Sequence, residues 1–153
     1  MKRKLLLLVC ALPLVASDPP GFELWSASDL KNMEHQLSQK MDAAHFSAKQ
    51  LTKFPTHNFM LAHREGSGSA EWHAKDNDVF VVETGGATLV VGGELVNGKT
   101  TAPDEMRGTS IRNGSSHHIG VGDVVNIPAK MPHQLLLNGN DKNITYFVVK
   151  IRQ

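Results

Sequence analysis

Four residues with ligating side chains fall on two short segments of the 153-residue chain: Glu71, His73 and Asp78 on the first, His133 on the second. Imidazole nitrogen together with carboxylate oxygen is a borderline-to-hard donor set, suited to Fe(II), Mn(II), Ni(II) or Zn(II) rather than to a soft metal. The spacing is that of strands. Residues two apart on a strand face the same way, so Glu71 and His73 project together and Trp72 lies on the opposite face. A turn through Lys75, Asp76 and Asn77 returns the chain so that Asp78 stands beside them. The second segment, 122–133, reads as a strand, a turn bracketed by Pro128 and Pro132, and His133 opening another strand. Phe80, Val82, Leu135 and Leu137 share faces with these residues and are expected to wall a pocket. His63 and Arg64 end an earlier strand, and alternation lets only one of them point inward. An inward Arg64 would hold a carboxylate through two hydrogen bonds.

The elements that must position these groups are short. Ser26 or Ser28 is placed to cap a helix carrying Leu30, Met33, Leu37 and Met41 on one face. From Phe46 the pattern changes to apolar runs near 46–53, 58–64, 69–74, 78–84, 87–91, 94–96, 109–112, 124–127, 133–137 and 144–151. Gly85-Gly86, Gly92-Gly93 and Gly122-Asp123 punctuate them with residues that accept a positive φ cheaply. Short strands with close turns and no interleaved helices predict an all-β sandwich or barrel. The stretch 97–110 reads as an exposed excursion, and His117-His118 as part of a solvated loop. His35 and His45 read as surface or packing residues.

The two ligand-bearing segments resemble the paired motifs of the cupin superfamily, G-x5-H-x-H-x3,4-E-x6-G and G-x5-P-x-G-x2-H-x3-N. Glu71 stands at the first His position, His73 at the second, Asp78 at the Glu position, and Gly85 closes the first motif. Gly122, Pro128 and His133 keep the spacing of the second, whereas Lys130 replaces its internal Gly and Leu137 its final Asn. The opening Gly of the first motif is displaced to Gly66. The likeness spans about residues 70–137 and implies a cupin-type double-stranded β-helix, a jelly-roll barrel, preceded by a short helix. It also implies one divalent transition metal ion in the barrel mouth, held by His73, Asp78 and His133 with Glu71 as a fourth ligand. Two carboxylates would neutralise such an ion. In the alternative, Glu71 stays off the metal as a general base, and the other three form a face with positions open for substrate, water or O₂. The family further leads one to expect a homodimer.

The amino terminus reads differently from the rest. A cationic start, Met1-Lys2-Arg3-Lys4, precedes an apolar run from Leu5 to Ala16, and Val15-Ala16-Ser17 offers small residues for cleavage. This is the layout of a secretory signal peptide over 1–17, leaving an extension and helix over 18–45 and a barrel over 46–153. Twelve apolar residues as helix would reach only about 18 Å, short of a hydrocarbon core of about 30 Å, so no stable membrane anchor is expected. Removing Lys2, Arg3 and Lys4 takes the formal charge from +1 to −2 and removes Cys10, the single cysteine. A thiol-free chain suits a periplasmic or secreted location. The near balance of 16 basic and 15 acidic residues excludes a strongly basic footprint, so nucleic acid is not an expected partner.

Two functions fit these features. One is a metal-dependent enzyme of lyase, isomerase or dioxygenase type acting on a small polar molecule, with Glu71 moving a proton. The other is a non-catalytic binding or storage module whose metal braces the barrel. Fold alone does not separate them.

Overall fold

The computed structural model describes residues 17–153, so the segment read as a signal peptide lies, Ser17 apart, outside the described residues. Helix α1 (Ala27–Ser38) precedes β1 (Phe46–Lys53), β2 (His57–Arg64), β3 (Ala70–His73), β4 (Asp76–Val91), β5 (Glu94–Val96) and β6 (Lys99–Ala102). Then follow β7 (Glu105–Gly108), β8 (Ser110–Arg112), β9 (Ser115–Gly120), β10 (Val124–Ile127), β11 (His133–Leu136) and β12 (Ile144–Arg152).

Strand β4 organises the molecule. Its first half pairs with β12 and β10, and its second half with β11 and β9, so a single strand belongs to both walls. One wall continues outward through β12 to β2 and β1; the other runs through β11 to β3, β7 and β6, and all these pairings are antiparallel. The crossing needs Gly85. Its φ is +70° and a Cβ there would run into the Asn143 carbonyl oxygen, so only glycine fits. Between the walls, Val82, Ala87, Leu89, Ile119, Ile127 and Ile144 are each at most 5% exposed. Full burial of an aliphatic side chain contributes roughly 1.5–3 kcal/mol, which makes this layer the main source of cohesion.

Helix α1 lies against β2 and β1. Ser26 caps it, with Asp29 completing a reciprocal capping box, and Leu37 is its buried anchor. The helix ends at Ser38, so Met41 falls beyond it rather than on its stripe. Glu34 accepts hydrogen bonds from the hydroxyls of Thr84 (2.5 Å) and Thr145 (3.0 Å), fastening the helix to the sheet.

Three expectations change. The runs at 78–84 and 87–91 are one bent strand, because Gly85-Gly86 bends the ladder without breaking it. The stretch 97–110 is not an excursion: it contains the β6–β7 hairpin, whose β7 pairs with β3. Segment 115–120 is strand β9, and His117 and His118 are exposed on it rather than on a loop. Polar side chains concealed these strands, since hydrophobic alternation reports only a buried face.

Candidate metal centre and cavity

Pairing across the β walls brings the ligand-type residues together. On β3, Glu71 lies opposite His133 of β11 on one side and Arg107 of β7 on the other, while His73 lies opposite Glu105. On β4, Asp78 lies opposite Lys150 of β12. The His73 Nε2 atom is 3.2 Å from Asp78 Oδ2 and 3.7 Å from Glu71 Oε2. His133 Nε2 is 3.6 Å from Asp78 Oδ2 and 4.0 Å from Glu71 Oε2. Ligands sharing one ion through bonds of about 2.1 Å stand about 3–3.4 Å apart, so these separations are close to those of a coordination shell. Donor atoms of Glu71, His73 and His133 all lie within 4.8 Å of one another.

Both imidazoles are oriented from behind. His133 Nδ1 is 3.1 Å from the Met131 carbonyl, so it carries the proton and leaves Nε2 as the lone-pair atom. That Nε2 is buried and has no hydrogen-bond partner among the described residues. His73 Nδ1 is 2.5 Å from Glu105 Oε2, which likewise directs Nε2 toward the cluster. The buried, unpartnered nitrogen and the two-imidazole, one-carboxylate donor set fit a borderline divalent ion.

Asp78 is placed differently from the other three. The Lys150 ammonium grips both its oxygens, at 2.7 and 2.9 Å, and also stands 3.0 Å from His73 Nε2. A lysine cation therefore already sits beside the carboxylate expected to be a ligand. Glu71 Oε1 is taken by Arg107, leaving Oε2 toward the two histidines.

The electrostatics follow from burial and these partners. Burial opposes ionisation of Glu71, but Arg107, His133 and Arg64 outweigh it and hold its carboxyl below the ordinary value. For Asp78, burial is again overcome, here by the hydrogen bond from His73 and the charge of Lys150, and its pKa is lowered. Burial depresses His133, keeping it neutral. It works against charge on His73 too, yet the adjacent Asp78 and Glu105 carboxylates raise its pKa above the ordinary imidazole value.

Beside the cluster opens a cavity of about 370 Å³ walled by Phe80, Leu135 and Arg64 and also by Phe46, Tyr146 and Val148. Val82 and Leu137, expected on its wall, are not there. Val82 lies farther along β4, opposite Tyr146, where the core is filled. Leu137 follows the end of β11, where its N–H donates to Ser67 Oγ and its side chain packs against the hydrophobic core instead. Arg64 points inward; His63 is buried on the other face, bonded to Thr145 Oγ1 at 2.8 Å. Trp72 lies on the outer face and donates to the Lys130 carbonyl at 2.9 Å. Lys130, at the position of the missing motif glycine, has φ +66°.

Sequence reasoning missed Lys150, Glu105 and Arg107. Lys150 alternates with Tyr146 and Val148 on the inward face of β12, but its partner Asp78 is set only by the β12–β4 register. The Glu105-Met106-Arg107 alternation complements Glu71-Trp72-His73 in sign, but only a pairing of β3 with β7 makes that meaningful.

No family model matches the chain, and no curated protein sequence does. Solved structures resemble it. A protein with a double-stranded β-helix domain from Klebsiella pneumoniae matches over 86% of this chain and 90% of its own, at 13% identity and a TM-score of 0.57. A cupin 2 conserved barrel domain protein from Rhodopseudomonas palustris matches over 71% and 63%, at 19% identity and a TM-score of 0.50. The polyketide cyclase RemF of Streptomyces resistomycificus matches over 71% and 66%, at 17% identity and a TM-score of 0.50. With its two antiparallel walls joined through β4, the chain has the cupin-type double-stranded β-helix fold.

Proposed function

We propose that the chain binds one divalent transition metal ion through Glu71, His73 and His133, and is an exported metal-dependent enzyme of lyase or isomerase type. The substrate is a small molecule in the adjoining cavity. The observation that carries this reading is His133 Nε2, a buried lone pair with no partner, aimed at two other donors. When bound, the ion supplies Lewis acidity toward a substrate oxygen. Glu71 serves as a ligand rather than a base: Arg107 and Arg64 keep it ionised, and a lowered pKa leaves little drive to take a proton. Proton handling falls to the Asp78–Lys150 pair, whose ammonium reaches the cavity and can donate to an oxygen as negative charge develops there. Among proteins of this fold is a polyketide cyclase, so the scaffold is compatible with catalysis.

A second reading is favoured by Lys150. Its ammonium already touches Asp78 and His73 Nε2, so it is a built-in cation of a metal-free binding module. Metal analysis of purified protein separates the two. We expect about one ion per chain, lost in His73→Ala and His133→Ala; equal content in all three proteins overturns the metal reading. Export and a homodimeric state remain part of the proposal, testable by fractionation and by sedimentation.

A further inference from the structure

Arg64 is 6% exposed and lines the cavity, a costly place for a guanidinium without good partners. Its contacts are poor. Nε reaches the Tyr146 hydroxyl at 3.3 Å, and Nη2 stands 3.5 Å from Glu71 Oε1, an oxygen already engaged by Arg107. Neither Nη1 nor Nη2 makes a hydrogen bond among the described residues. The head is nonetheless held in place. Cζ lies 4.2 Å from the centroid of the Phe46 ring, and the Gly68 backbone closes on it so tightly that a Cβ at 68 would stand 2.9 Å from Cζ. Gly68 is fixed in turn, its N–H donating to Leu135 O and its carbonyl accepting from Gln134 Nε2, each at 2.8 Å.

A buried, immobilised fork whose two terminal nitrogens make no hydrogen bond among the described residues is a receptor for a planar anion. We infer that Arg64 binds the carboxylate of a small carboxylic acid whose apolar body lies against Phe46, Met60 and Val148 of the same cavity. Two parallel N–H···O bonds match a carboxylate, and the apolar side chains of Phe46, Met60 and Val148 give the body of such an acid a wall to lie against. This names the substrate class of the site and rests on the proposed enzyme only for turnover; neither Arg64 nor Phe46 belongs to the metal's ligand set.

Calorimetry with benzoate as probe, on the full chain freed of metal by chelation, tests the inference. Saturable binding is expected, at least tenfold tighter than for benzamide, its neutral counterpart, or for inorganic phosphate. Arg64→Lys keeps the charge but loses the fork, and Gly68→Ala displaces the fork while keeping Arg64; each should weaken benzoate at least tenfold. Unchanged thermal unfolding and metal content in both variants would show that fold and metal centre are intact, and Gly68→Ala stands in if Arg64→Lys does not fold. Benzamide or phosphate binding as well as benzoate, no benzoate binding, or variants with unaltered affinity would overturn the carboxylate site. Arg64-dependent benzoate binding in a chain that takes up no metal would leave this inference standing and remove the metal reading instead.

Discussion

The same strands build two unlike regions, and the contrast separates what holds the fold from what the fold holds. Along β4 the inward residues run Asp78, Phe80, Val82 and, past the Gly85 bend, Ala87 and Leu89. Along β12 they run Lys150, Val148, Tyr146 and Ile144. One end is charged and densely paired; the other is aliphatic and closed. Cohesion belongs to the aliphatic end, where burial is favourable outright. At the charged end each buried group is tolerated because a partner offsets its desolvation, and His133 Nε2 has none.

The largest expected effects come from crossing one change in each region. Leu89→Ala should destabilise the metal-free protein by about 2–5 kcal/mol through cavity creation while leaving metal stoichiometry unchanged. His133→Leu should do the reverse. Metal binding should be lost, with stability in chelator unchanged or slightly raised, because an unsatisfied buried polar atom is replaced by an apolar one of similar size. Denaturant unfolding with and without metal reads both. A His133→Leu protein as destabilised as Leu89→Ala would show that the imidazole is structural packing.

Next in size is Lys150→Met, which leaves Asp78 buried without its cation. Breaking a buried pair costs about 3–5 kcal/mol, and the partial exposure of Lys150 brings the expectation to the lower part of that range or below. Added metal should restore more stability to Lys150→Met than to the parent, because the freed Asp78 carboxylate then faces the ion. Equal metal-induced shifts in melting temperature would mean that Asp78 and the metal do not communicate.

How much of this was legible beforehand follows the same division. The cupin fold was readable because two motifs and a series of apolar alternations each constrain a buried face. Glu71 and His73 were readable as neighbours because a period of two is local. Lys150 was not, since it meets Asp78 across 72 residues of sequence and only the β12–β4 register joins them. Glu105 and Arg107 were hidden for another reason. Their hairpin is polar and its β6 strand exposed, with no hydrophobic period to betray a strand, yet half-buried β7 supplies the groups behind His73 and Glu71.

Glu105 therefore provides a smaller, sharper test. Glu105→Gln keeps the side-chain shape but weakens the carboxylate's hold on His73 Nδ1, and metal affinity should fall about 10–100-fold. The pH dependence should move with it. Burial works against charge on His73, but Asp78 and Glu105 outweigh it, so the proton competes with metal from a higher pH than for an ordinary imidazole. Metal affinity should decline as pH falls through that raised value, and the decline should begin at lower pH in Glu105→Gln. By linkage, protonated His73 stabilises the metal-free fold fully below the unfolded imidazole pKa of about 6.5, and that contribution is lost as pH rises through the raised folded value. Metal titrations and melting temperatures across pH 5–9 measure both signs.

The smallest effect is expected at Lys130, in the turn from β10 to β11 beside the charged end. Its φ of +66° is unfavourable for any residue with a Cβ, and the motif it departs from has glycine there. Yet the turn is firmly held: Lys130 N–H donates to the His73 carbonyl at 2.7 Å, and its own carbonyl accepts from Trp72 Nε1 at 2.9 Å. Lys130→Gly relieves backbone strain of roughly 1 kcal/mol but adds unfolded-state freedom of roughly 0.4–1 kcal/mol. The two nearly cancel, so stability should change by less than about 1 kcal/mol and metal affinity should not change. A large loss in either would assign the Lys130 side chain itself a part in positioning His73. The backbone bonds alone would then be insufficient to hold that strand against the metal centre.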